Sequence, residues 1–127
     1  MVTKKISKKE AIALVNNKLS KDLENANTEF SSIIKNSKPP KWWWDISNNR
    51  FKSDFHLLLS DQHRKVLYYF FIKSGSINNP EQLFRQVNNN YVTNTSRIYI
   101  LVGDENFADT RGTGFKFKKY LKAEISY

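Results

Sequence analysis

Ser37-Lys38-Pro39-Pro40-Lys41-Trp42-Trp43-Trp44-Asp45-Ile46 is the stretch on which the fold turns. Proline lacks a backbone donor and pushes the residue before it out of the helical basin, so Pro39-Pro40 ends any preceding helix and forms a rigid elbow. Beyond it, an extended segment would point Trp42 and Trp44 to one face and Trp43 to the other. All three indoles enter a core only if both faces are covered. Either two of them anchor an N-terminal helix to a sheet with their N–H groups paired, or one or two stay exposed as a platform for a base or a partner's pocket. Residues 37–41 thus divide a single domain, 1–127, into a helical part, 7–36, and a sheet-rich part, 42–127.

Upstream of the elbow, Ser7-Lys8-Lys9-Glu10 has the form of a capping box and predicts a helix start. Ile12, Val15, Leu19, Leu23, Ala26, Phe30 and Ile33 then recur at steps of three and four, on one face of a helix. The period predicts one helix to about Lys35, or two broken near Asn25 to Thr28. That face packs on the domain's own core or forms a partner-binding seam.

Downstream, Trp42 to Ile46, Phe55 to Leu59 and Val66 to Lys73 read as strands, with Ser60 to Lys65 as a hairpin turn. Val66 to Ile72 is apolar throughout, as expected of a central strand covered on both faces. Asn79-Pro80 predicts a short helix through Gln86, and Asn88 to Asn94 a polar loop. Arg97 to Val102 is a further strand, and Phe115 to Leu121 either a half-buried strand or a short helix. The expected fold class is α+β: an N-terminal helix or helix pair packed on a small, mostly antiparallel sheet.

The 127 residues suffice for one hydrophobic core, and an apolar fraction of 39% with 14% aromatics fits a packed interior despite a mean hydropathy of -0.62. Cysteine is absent, which excludes a disulfide framework, a Cys-based zinc site and a cysteine nucleophile, and points to a reducing, cytoplasmic location. The N-terminus lacks the apolar core of a signal peptide, and no run reaches the length of a membrane span. The net charge of +9 attracts polyanions. Much of it lies towards the ends: segment 1–41 holds nine lysines against four acids, and Arg111, Lys116, Lys118, Lys119 and Lys122 have no acid among them.

Basic residues beside aromatics suit phosphate contact with base stacking. The candidate nucleic-acid contacts are therefore Lys4, Lys5, Lys8 and Lys9 at the helix start, Lys41 with Trp42, Trp43 and Trp44 at the elbow, and Arg111, Phe115, Lys116, Lys118 and Lys119 near the C-terminus. Arg111-Gly112-Thr113-Gly114 reads as a plain turn, with an anion-binding nest as the alternative. No helix-turn-helix, zinc-finger or RNP-type signature accompanies these residues.

For catalysis, the best constellation is Asp45 with Asp54 and His56, a metal-nuclease arrangement in which Glu24 would be a helix-borne third ligand. It lacks the expected lysine. No Gly-x-Ser-x-Gly motif or cysteine supports a nucleophile triad, and no cofactor is implied. The leading expectation is a small basic non-enzymatic protein that contacts nucleic acid through Lys/Arg and exposed aromatics. Two others stand beside it: a protein-interaction module or inhibitor, from a phage or mobile element, acting through an acidic surface of a host nucleic-acid enzyme; and a divalent-metal-dependent nuclease.

Overall fold

A computed structural model describes residues 5–88 and 91–127. Lys4 and the Asn89-Asn90 part of the expected polar loop lie outside the described residues. The capping box forms as predicted: the Glu10 amide donates to Ser7 Oγ and the Ser7 amide to Glu10 Oε1. It opens α1 (Lys8–Leu19), after which come β1 (Thr28–Ser32), β2 (Lys41–Ser47), β3 (Phe55–Asp61), β4 (Val66–Ile72), the single-turn α2 (Pro80–Leu83), β5 (Arg85–Val87), β6 (Thr95–Leu101) and β7 (Leu121–Ser126). The strands make two sheets, ordered β1-β3-β4-β7 and β2-β6-β5. Every pairing is antiparallel except β1 with β3. The architecture is α+β.

Alternation along the strands explains the layering. In β4, Leu67 and Tyr69 join Ala11, Val15 and Leu23 under α1, whereas Phe70 and Ile72 point the other way, into the larger core against Trp42, Trp44, Ile98 and Ile100 of the second sheet. The four-stranded sheet is thus the middle layer, with α1 on one face and the three-stranded sheet on the other. The expected hairpin is present, its turn held by His63 and Arg64 amides donating to Asp61 Oδ1.

Three expectations need correction. The helical period does not continue to Lys35, and the helical part 7–36 includes a strand. Asn16 exchanges hydrogen bonds with both backbone groups of Leu23, Asn27 Oδ1 accepts from the Glu24 amide, and Ser20 adopts a left-handed φ of 52°. Short polar side chains compete here with helical bonding. The spacing misleads because Val15, Leu23 and Phe30 do share one apolar cluster, reached along a different backbone path. Next, the helix after Pro80 stops at Leu83, because Phe84 is drawn into the core against Phe51 and Phe117 and the chain continues as β5. Finally, Phe115 to Leu121 is neither a strand nor a regular helix: a bridge at Lys116 precedes a 3-10 turn at Lys118–Tyr120, and the strand starts at Leu121.

Candidate nucleic-acid interface

β2 pairs with β6 so that Lys41 faces Leu101, Trp43 faces Tyr99 and Asp45 faces Arg97. The intervening residues Trp42, Trp44, Ile46, Ile98 and Ile100 fill the core, so this second set forms the outer face of the three-stranded sheet. Both strands alternate because every other side chain must enter the inter-sheet core.

On this face the side chains form a column. Trp43 and Tyr99 stack at 5.8 Å between centroids with 9° between planes. The Arg97 guanidinium lies 5.0 Å from the Trp43 centroid and that of Arg111 4.7 Å from Tyr99, with Lys41 Nζ at 5.9 Å from the same ring. These distances fall within the range in which a cation is attracted by a ring quadrupole. Arg97 is also held by two bonds to Asp45, at 2.8 and 3.1 Å, and hydrogen bonding to Asp45 is the main influence raising its pKa. Arg85 of β5 stands opposite Arg97. Like charges in direct register are unfavourable in a sheet. The face therefore carries Lys41, Arg85, Arg97 and Arg111 against Asp45.

Arg111 reaches the column because its turn is built to carry it. Asp109 is buried, and its carboxylate accepts from the amides of Tyr99, Arg111 and Gly112. The Thr110 amide donates to Tyr99 O, and Thr113 donates through both amide and hydroxyl to Leu83 O. A Cβ on Gly112 would lie 2.2 Å from Leu83 O and 2.6 Å from Asp109 Oδ2, so no other residue fits without displacement. The amides of Gly112 and Thr113 are engaged internally, which removes the nest alternative for this turn.

The candidate contacts separate. Trp43 is 39% exposed, but Trp42 and Trp44 are 1% and 7% exposed and cannot touch a ligand. Nor do they anchor the helix: they lie between the two sheets, where Trp42 Nε1 donates to Ser60 O of β3 at 2.9 Å, while the buried Trp44 N–H has no partner among the described residues. Lys41 and Arg111 join Trp43 on the outer face. Asp109 bridges to Ile100 of β6 and Ala108 to Lys116, which brings the backbone of Lys116 alongside the same turn. Phe115 stacks on Tyr120, with Lys119 over both rings, and Phe115, Lys116, Lys118 and Lys119 border a separate open cleft. Lys5, Lys8 and Lys9 belong to the N-terminal helical layer, across the middle sheet from Lys41, Trp43 and Arg111, so these lysines do not join the outer face.

The nuclease constellation is not assembled. Asp45 is on the outer face paired with Arg97, whereas His56 is on the helix side of the middle sheet, with Nδ1 2.9 Å from the Tyr69 hydroxyl. Asp54 accepts from the Ser74 amide, and Glu24 lies in the connection after α1 rather than on a helix. No group of three or more potential metal-ligating side chains occurs among the described residues. Burial lowers the His56 pKa from 6.5, with Lys21 adding to the effect and Asp54 opposing it.

Arg85, Arg97 and Tyr99 escaped the sequence reading. Their signal was the alternation of Arg97, Tyr99 and Leu101 with Ile98 and Ile100, which mirrors Lys41, Trp43 and Asp45 against Trp42, Trp44 and Ile46. No protein-family model, curated protein or solved structure matches the chain. Among the described residues no helix is long and apolar enough to cross a membrane.

Proposed function

We propose that this protein binds single-stranded nucleic acid on the outer face of its three-stranded sheet. The observation that carries the reading is the column Arg97–Trp43–Tyr99–Arg111, a cation–aromatic stack on a face with four cations and one acid. Lys41, Arg85, Arg111 and the adjoining Lys116 supply phosphate contacts, and the exposed part of Trp43 supplies a surface for a base. An open sheet face suits unpaired bases, which can be splayed against aromatics and guanidinium planes, better than the grooves of a duplex. Arg97 is already committed to Asp45 and acts mainly to fix the Trp43 ring.

Titration with a fluorescently labelled oligonucleotide of about 12 nucleotides tests the proposal, the length being chosen to span one such surface. Binding is expected to quench tryptophan emission through Trp43, and Trp43→Ala to weaken it by about tenfold, in line with about 1–3 kcal/mol per stacked base. Unchanged affinity in both Trp43→Ala and Arg111→Glu would refute this surface.

One feature favours a second reading. Trp43 is 39% exposed and held in place by Arg97 and Tyr99, and a fixed, partly exposed tryptophan beside cations suits a pocket on an acidic protein partner. Nuclease-treated pull-downs distinguish the two: partners lost with nuclease support the first, and retained protein partners the second.

A further inference from the structure

On the opposite side of the molecule α1 ends too early to cover its sheet. Ser20 turns the chain away after Leu19, and the helix-side face of the middle sheet runs on as His56 and Phe71, paired in register across β3 and β4. A cavity of about 450 Å³ remains at this end, walled by Leu19 and Phe71, with His56 and Tyr69 inside and Lys21 and Lys122 bordering it. We infer that this cavity binds a small planar aromatic acid, whose ring packs beside His56 and Phe71 and whose carboxylate meets His56 and the two lysines.

The hydrogen bonding defines what His56 offers. Tyr69 is buried and its hydroxyl has one hydrogen-bond partner among the described residues, His56 Nδ1. Burial also keeps that hydroxyl protonated, raising its pKa above the usual value of 10.0. If Nδ1–H donated to Tyr69, the tyrosine's own proton would have no acceptor. Donation from Tyr69 to a neutral His56 satisfies both groups and leaves the proton on Nε2, a donor for an incoming oxygen.

Ring and charge then specify one ligand class. His56 and Phe71 have centroids 5.3 Å apart at 39°, which provides aromatic surface. Neither Lys21 nor Lys122 has a carboxylate within salt-bridge distance among the described residues. A lone inorganic anion would leave the apolar walls unused, and a neutral hydrocarbon would leave the lysines and the imidazole N–H without a counterpart. The site is independent of the proposed nucleic-acid face, which lies beyond two sheets.

The test is an NMR titration of the full chain with 2-naphthoate, with 2-naphthalenemethanol as a neutral control of similar shape. Naphthoate should shift the His56 ring, Phe71 and Ala123 signals saturably, and the alcohol should bind about tenfold or more weakly, since one charge is lost against two cations. The double variant Lys21→Glu/Lys122→Glu, at exposed positions, should lose naphthoate affinity by a similar factor and keep that for the alcohol. Equal binding of acid and alcohol in the native chain would overturn the inference, as would no saturable shift at these residues up to about 10 mM naphthoate. Undiminished naphthoate binding by the double variant would also overturn it.

Discussion

Trp42 and Trp44 are buried two positions apart on one strand and differ in a single polar contact. The Trp42 N–H is satisfied by Ser60 O; the Trp44 N–H is not. Replacement by phenylalanine removes similar volume at both sites, but only at position 42 does it also remove a buried hydrogen bond. Trp42→Phe is therefore expected to destabilise the protein by about 1–2 kcal/mol more than Trp44→Phe, measured by urea denaturation followed by circular dichroism. His56 supplies a pH signature. Its folded-state pKa lies below 6.5, so as pH falls through that value the unfolded chain takes up the proton first. The His56 contribution to stability is complete above pH 6.5, declines as pH falls towards the lower folded value and levels off beneath it. Denaturation midpoints at a series of pH values should fall less steeply across this window in His56→Gln than in the native chain.

The turn 109–114 is short, yet it holds the Arg111 guanidinium over Tyr99 on the outer sheet face. Gly112 permits the close approach to Leu83 and Asp109. Gly112→Ala is expected to cost about 2 kcal/mol or more in chemical denaturation, because a backbone carbonyl must move to admit the methyl group. The same variant should weaken oligonucleotide binding if Arg111 contributes as proposed. Elements differed in how far they could be read. The α1 start, the β3–β4 hairpin and the opposed Trp43 followed from local rules of capping, turn chemistry and alternation. The end of α1 and the identity of β1 did not, because Asn16 and Asn27 act through bonds to residues several positions away, and their competition with helix is invisible to an apolar period.

In the whole molecule, layer order decides which charges act together. Lysines at the N-terminus and Arg111 near the C-terminus look alike in sequence, but the middle sheet separates them, and Arg111 joins Lys41, Trp43, Arg97 and Tyr99 through the register of β2 with β6. Register and layer order arise from long-range packing, so the basic character and one exposed tryptophan were legible while the partners of that tryptophan were not. The central claim is that this assembled face engages phosphates. Its most direct measurement is the salt dependence of single-stranded oligonucleotide affinity for the native chain and Arg111→Ala. Four phosphate contacts through Lys41, Arg85, Arg111 and Lys116 predict a slope of about -2.8 in log K against log salt, a loss of about 50-fold between roughly 50 and 200 mM, reduced to about -2.1 in the variant. A native slope near zero, or a slope unchanged by Arg111→Ala, would contradict the account.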